Sequence, residues 1–134
     1  MASISAYAGY LPAYRMPREV MAKQWGSQAM PGERSVANFD EDSLTMAVAA
    51  SLDALAGSGD GDTLDAVLFA STTSPYRQKS VAATLAAVVG APEAARTLDI
   101  STTLRAASGA VMTAIDLVES GASRRVLVAV GEVR

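Results

Sequence analysis

The sequence predicts a layered α/β domain built on a mainly parallel β-sheet. Three observations carry this. Short unbroken apolar runs, Ala66–Ala70 and Val126–Val130, are bounded by turn residues, as strands covered on both faces are. Segments with apolar residues at helical spacing alternate with them. Aromatic residues make up only 5% of a chain that is 50% hydrophobic, so Ala, Val and Leu must build the core, and small aliphatic side chains suit close helix-on-sheet packing.

Taken in order, Ser3 to Leu11 is apolar and β-leaning, stops at Pro12, and reads as a short strand. Pro17 opens a short helix running to about Trp25, because Pro is tolerated in a first turn. Gly26 to Gly32 reads as a loop. Asp40-Glu41-Asp42 starts the first long helix, where acidic side chains complement the N-terminal dipole. Leu44, Val48, Leu52 and Leu55 form its expected apolar face, and Gly57 is expected to end it in a left-handed conformation. Ser58 to Thr63 is a solvated turn before the strand Ala66–Ala70. A polar loop, Ser71 to Pro75, leads to a helix over Gln78 to Val89, with Val81, Leu85 and Val88 on one side. Gly90-Ala91-Pro92 stops it. Arg96 to Ile100 is a further strand. Ser101-Thr102-Thr103 leads into a helix that ends at Gly121, with Leu104, Ala107, Val111, Ile115 and Val118 on its face. Val126–Val130 is the final strand and is expected to be buried. The order β-α-α-β-α-β-α-β implies right-handed crossovers. Four strands with three long helices leave one face or edge of the sheet uncovered. The chain therefore reads either as a small complete domain or as part of a larger fold.

Composition excludes several functions. The 134 residues suit one domain. A net charge of −3, with 11 basic and 14 acidic residues and no basic run, argues against nucleic acid as a partner. The chain has no cysteine and no histidine, which removes disulfides, thiolate catalysis, the usual zinc sites and any complete Cys-His or Ser-His machine. No metal site is expected. No secretory signal and no membrane span is read, so the expected location is the cytoplasm.

In open α/β sheets, ligands bind beyond the C-terminal ends of the strands. Two loops qualify. Ser101-Thr102-Thr103 precedes a helix whose free N–H groups can hold an anion or oxyanion, and the small residues Ala106 to Ala110 permit close approach. The plainer alternative is that Thr102 or Thr103 is an N-cap and the small residues serve packing. The other loop, Ser71 to Tyr76, has four consecutive hydroxyls, Ser71 to Ser74, that either bind ligand or satisfy turn backbone. Arg77 and Lys79 add a cationic edge that is otherwise read as solvated surface. The run Gly57 to Gly61 follows a helix, so it does not match a phosphate loop. Asp60, Asp62 and Asp65 lack the glutamate that a calcium loop requires. Trp25 and the Met residues are expected in the core or at an interface.

The segments Ile4–Pro17, Asn38–Ala47, Phe69–Tyr76, Leu104–Ala110 and Arg125–Val130, in this order and spacing, resemble the N-terminal half of hydroxymethylglutaryl-CoA synthases and type III ketoacyl-carrier-protein synthases, in the thiolase superfamily. The resemblance covers the whole chain and is nearest to a bacterial synthase-like branch. It implies a thiolase-like fold in which residues 1–134 form a half-domain of four strands, incomplete relative to the family's two packed halves. It also implies acyl-CoA chemistry of the Claisen or aldol carbon–carbon bond class, with a CoA thioester as substrate and no other cofactor. Matching the segments places Leu104 where the family keeps its nucleophilic Cys, and Thr72 where the synthases keep a Glu acid/base. Neither side chain can do that chemistry, so whether the chain is an enzyme stays open. If active it is expected to be an acyltransferase or carbon–carbon lyase working with a second half or partner chain. Thr72, Thr73, Thr103, Arg105 and Ser108 are the candidate substrate-binding residues. Two alternatives follow from the same resemblance. One is a non-catalytic subunit that completes or scaffolds a thiolase-like partner in a homo- or hetero-oligomer. The other is a Cys-independent retro-aldolase component, like the steroid side-chain aldolases that pair with a zinc-ribbon/OB-fold protein.

Overall fold

A computed structural model describes residues 1–58 and 61–133. Two units are distinguished, one formed by residues 1–10 and 42–134, the other by Leu11–Glu41.

The smaller unit is a hairpin with a helix in its connection. Strands β1 (Tyr14–Pro17) and β2 (Glu33–Val36) pair antiparallel, with Tyr14 opposite Val36 and Pro17 opposite Glu33. Between them lies helix α1 (Arg18–Trp25). Gly26 ends α1 at φ 61°, a left-handed conformation that glycine adopts without a Cβ penalty. The chain then folds back, with Ser27 N–H donating to the Ala22 carbonyl at 2.9 Å. Sequence reasoning missed this hairpin because its strands are four residues long and carry Arg, Glu and Pro where alternation would be sought.

The larger unit holds a three-stranded parallel sheet in the order β4-β3-β5, made of β3 (Ala66–Ser71), β4 (Arg96–Ser101) and β5 (Val126–Val130). Ala66 stands beside Arg96 on one edge and Val126 on the other. Every residue of β3 is buried, as a central strand's should be. Alternation along the strands sorts the core into two faces. Val67, Phe69, Leu127 and Ala129 pack with Leu44, Ala47 and Leu55 of α2 (Ser43–Ala56) and with Val81, Leu85 and Val89 of the α3 region (Val81–Val88). On the other face, Ala70, Ile100 and Val128 meet Ala106 and Ala110 of α4 (Ala106–Glu119).

Local chemistry sets the helix starts. Asp42 caps α2 by accepting from Thr45 N–H at 2.8 Å, and the Thr45 hydroxyl accepts from Asp42 N–H at 2.8 Å. This reciprocal box is worth about 1 kcal/mol. Helix α3 starts at Val81, three residues later than expected, because the Ser80 hydroxyl caps it, accepting from Ala83 N–H.

Several expectations are corrected. Ser3 to Leu11 forms no strand; it pairs with none of β3, β4 and β5, and Ile4, Tyr7 and Leu11 are exposed. The parallel sheet therefore has three strands, not four. Gly57 is right-handed at φ −89°, because Ser58 satisfies the helix end through its N–H to Leu55 O and its hydroxyl to Ala54 O. Leu52 and Val88 face out, and Ser51 and Val89 take the inward positions. Trp25 is 72% exposed and is no core residue. Strand β5 is only half-buried, and Val111, Met112 and Ile115 of α4 are exposed, because α4 turns Ala106 and Ala110 to the sheet. Asp60 and the side chain of Asp62 lie outside the described residues. No helix among the described residues is long and apolar enough to cross a membrane.

Candidate functional site

The parallel sheet delivers the ends of β3, β4 and β5 to one side. That side is where ligands meet such sheets.

At the ends of β3 and β5, four hydroxyls and one carboxylate form a network. Glu132, two residues beyond β5, accepts from Thr72 N–H at 2.7 Å and from the Thr72 hydroxyl at 2.7 Å. The Thr73 hydroxyl donates to the same carboxylate at 3.3 Å and accepts from Val133 N–H at 2.9 Å. Ser71 Oγ accepts from Thr73 N–H at 3.0 Å. The buried Ser43 hydroxyl, at the first position of α2, donates to the Thr73 carbonyl at 2.8 Å. Thr72 and Thr73 are thus brought together, with their hydroxyls turned to Glu132. Glu132 was missed from the sequence because no motif surrounds it. A carboxylate directly after a parallel strand was the available signal.

The turn between β4 and α4 has a different character. Thr102 adopts φ +71°, a left-handed conformation that a β-branched residue rarely takes. Such strain costs about 1–3 kcal/mol and concentrates at functional turns. Leu104 follows, 79% exposed. Neither Thr102 nor Thr103 is the N-cap, since α4 begins after Arg105 with no side-chain cap. The Thr103 hydroxyl accepts from Arg105 N–H at 3.3 Å, and the Ser108 hydroxyl donates to the Arg105 carbonyl at 3.1 Å. Thr103, Arg105 and Ser108 are therefore linked locally. The N–H groups of Ala107 and Ser108 find no backbone acceptor among the described residues. Unlike α4, α3 has a saturated start, because Asp99 on β4 accepts from Val81 and Ala82 N–H at 3.0 and 2.9 Å. An anion is thus better received at α4 than at α3.

Between the two loops lies a cleft of about 190 Å³. Ser74 from the first loop and Ser101 from the second line it, with Tyr76, Lys79 and Asp99. The Lys79 ammonium sits 5.2 Å from the centre of the Tyr76 ring, within cation–π range. None of Thr72, Thr73, Thr103, Arg105 or Ser108 lines this cleft; they flank it in sequence. No group of three His, Cys, Asp or Glu suited to a metal occurs among the described residues.

No model of a known protein family matches the chain. Curated relatives do. The chain is 36% identical over 131 residues to the hydroxymethylglutaryl-CoA synthase of Methanocella arvoryzae, covering 92% of this chain and 38% of that protein. It is 34% identical over 120 residues to the same enzyme of Thermococcus onnurineus, covering 88% and 34%. Among solved structures, a 3-oxoacyl-(acyl-carrier-protein) synthase III superposes with TM-score 0.86 at 26% identity, over 97% of this chain and 41% of that one. The β-ketoacyl-acyl-carrier-protein synthase III of Thermus thermophilus gives TM-score 0.87 at 25% identity, over 98% and 43%. OleA of Xanthomonas campestris, solved with lauric acid and lauroyl-CoA, shares the fold with TM-score 0.83 at 17% identity, over 98% and 43%. The chain spans well under half the length of these proteins. Its sequence relatives and its fold agree: the chain is thiolase-like, similar over most of its length to hydroxymethylglutaryl-CoA synthases and in fold to type III ketoacyl-acyl-carrier-protein synthases.

Proposed function

We propose that the chain handles acyl-CoA in carbon–carbon bond chemistry of the Claisen or aldol class, without forming an acyl-enzyme on its own residues. The observation that carries this reading is Leu104, an exposed hydrocarbon side chain on the strained turn at the open start of α4, in a chain with no cysteine. Acyl transfer through a thioester needs a thiolate, and Leu104 supplies no nucleophile. The α4 N–H groups of Ala107 and Ser108 are suited to polarise a thioester carbonyl, because donors fixed at a helix start need no reorganisation. Thr103, Arg105 and Ser108 at that turn, and Thr72 and Thr73 on the loop after β3, are the residues proposed to bind substrate. Similarity to the two archaeal synthases supports the substrate class.

Calorimetric titration with acetyl-CoA and lauroyl-CoA, together with intact-mass analysis after incubation, tests the reading. Saturable binding with unchanged protein mass is expected. Absence of binding overturns the acyl-CoA assignment. A stable acyl adduct overturns the non-covalent one.

A second reading is favoured by a separate observation. Leu98, Leu104, Val111, Met112, Ile115 and Val130 are all exposed on the larger unit. So much apolar surface on few elements suits an interface. In this reading the chain is a non-catalytic subunit that completes a thiolase-like partner, in a homo- or hetero-oligomer, with a second-half chain or a zinc-ribbon/OB-fold protein as the other member. A stable monodisperse monomer in sedimentation velocity argues against it.

A further inference from the structure

Claisen and aldol chemistry both begin when the α-carbon of the acyl group loses a proton, and a group on the protein must receive it. The chain has no histidine and no cysteine, which leaves the carboxylates as the groups with an ionised, proton-accepting form near neutral pH. Two of them stand at the C-terminal side of the parallel sheet, Asp99 near the end of β4 and Glu132 just beyond β5. Asp99 is committed elsewhere. Its Oδ1 accepts from the N–H groups of Val81 and Ala82 at the start of α3, and backbone amides pass on no proton. Glu132 meets a different kind of donor. Its Oε2 accepts from the Thr72 hydroxyl at 2.7 Å and from the Thr73 hydroxyl at 3.3 Å, and its Oε1 accepts from Thr72 N–H at 2.7 Å. A hydroxyl both gives and takes a proton. Thr72 also lies beside the turn that leads into α4. Ser71 pairs with Ser101 at the end of the β3–β4 ladder, so Thr72 and Thr102 are the first residues beyond two strands about 4.8 Å apart.

We propose that Thr72 and Glu132 form a proton relay that enolises a bound acyl-CoA, with Thr72 meeting the substrate and Glu132 storing the proton. The relay rests on the acyl-CoA reading above and adds to it the group that moves the proton. In the step, the C–H bond at the α-carbon breaks and its electron pair passes into the thioester as an enolate. The proton goes to Thr72 Oγ1, whose own proton moves along the 2.7 Å bond to Glu132 Oε2. The N–H groups of Ala107 and Ser108 hold the enolate oxygen. Reversal returns a proton to carbon, so atoms and charge balance with no further reactant. A threonine alone is too weak a base at neutral pH. With a carboxylate behind it, neither its alkoxide nor its protonated form has to persist, which is how an adjacent base activates a hydroxyl. The Thr72 N–H anchors the carboxylate through Oε1 while the hydroxyl turns. The Ser43 hydroxyl fixes the same loop by donating to the Thr73 carbonyl at 2.8 Å.

Exchange of the acetyl-CoA methyl protons in heavy water reads this step directly, by mass spectrometry of the recovered thioester. The full chain should label acetyl-CoA well above the buffer rate. Glu132→Gln keeps an oxygen acceptor for Thr72 but cannot store the proton. It should slow labelling at least about 100-fold, the usual scale for a lost general base, with acetyl-CoA affinity by calorimetry unchanged. Glu132→Asp should recover part of the rate. Thr72→Val should lose labelling as Glu132→Gln does, whereas Thr72→Ser, which keeps the hydroxyl, should stay within about tenfold of the parent. A parallel fall of affinity and rate in Glu132→Gln would mark Glu132 as structural and overturn the relay. Undiminished labelling in that variant, or acetyl-CoA that binds the parent without being labelled, also overturns the relay and leaves the acyl-CoA reading standing. Acetyl-CoA that does not bind at all overturns the acyl-CoA reading, and the relay with it.

Discussion

The Glu132 carboxylate accepts two hydrogen bonds from Thr72, from its N–H and its hydroxyl, each at 2.7 Å and across sixty residues of sequence. Charge-assisted bonds of this length are among the stronger ones in proteins. They tie the chain beyond β5 to the loop beyond β3. Glu132→Ala should destabilise the fold by about 1–3 kcal/mol, since it removes the acceptor of three half-buried donors, the Thr72 N–H and the Thr72 and Thr73 hydroxyls. Thr72→Val should cost less, because the N–H bond remains. A double-mutant cycle in urea should return a coupling of about 0.5–3 kcal/mol. Additive effects would mean that the two residues act separately.

A Cβ placed on Gly131 would lie 2.0 Å from the Ser43 carbonyl oxygen. That oxygen is backbone at the start of α2 and cannot swing away. Gly131→Ala should therefore lower stability by about 3 kcal/mol or more, since overpacking against backbone leaves no side-chain escape. Gly109, inside α4, has nothing within 4 Å of its missing Cβ. Gly109→Ala should raise stability by up to about 1 kcal/mol through helix propensity. Thermal melts of the two variants should move in opposite directions.

The left-handed Thr102 gives a third expectation. Thr102→Gly should relieve steric strain worth about 1–2 kcal/mol, partly offset by the larger entropy that glycine loses on folding. A small net rise in melting temperature is expected. If the strain serves to shape the turn at Leu104, acyl-CoA affinity should fall in the same variant.

Asp65 accepts from Arg124 N–H at 2.6 Å and from Arg125 N–H at 3.0 Å. These two bonds, Arg124's first, hold its carboxyl below the ordinary value of 3.8, with a further small contribution from the Arg124 charge. A carboxyl whose folded pKa is depressed stabilises the fold fully above its unfolded pKa. That stability is lost as pH falls through the folded value. Asp65→Asn should therefore be less stable than the parent at neutral pH, and the gap should close as the pH is taken below the ordinary carboxylate range. A gap that stays constant to the acid limit would show that the charge of Asp65 is not the cause.

Strands and helices in the larger unit were readable because their signals are local. Ala66–Ala70 is apolar without interruption, and Asp42 with Thr45 announces the start of α2 in four letters. What sequence could not supply was partnership. Ser3–Leu11 has strand composition, yet it pairs with none of β3, β4 and β5. The expected face of α4 assumed that it packs on Val111 and Ile115, whereas Ala106 and Ala110 are the residues it buries against the sheet. Around the candidate site, Thr72, Thr73 and Thr103 were picked out by strand-end position, a rule that needs only topology. Glu132 and Asp99 escaped because their partners lie far away in sequence, at Thr72 and at the start of α3.

The strand order β4-β3-β5 has a consequence for biosynthesis. A ribosome releases β3 first, although β3 sits in the middle of the finished sheet. Both of its neighbours are made afterwards, and the second is not complete until Val130 has left the exit tunnel. Through that interval the strand that will be the most deeply buried of the sheet carries bare hydrogen-bonding edges, the form of nascent polypeptide that self-associates and that holding chaperones shield.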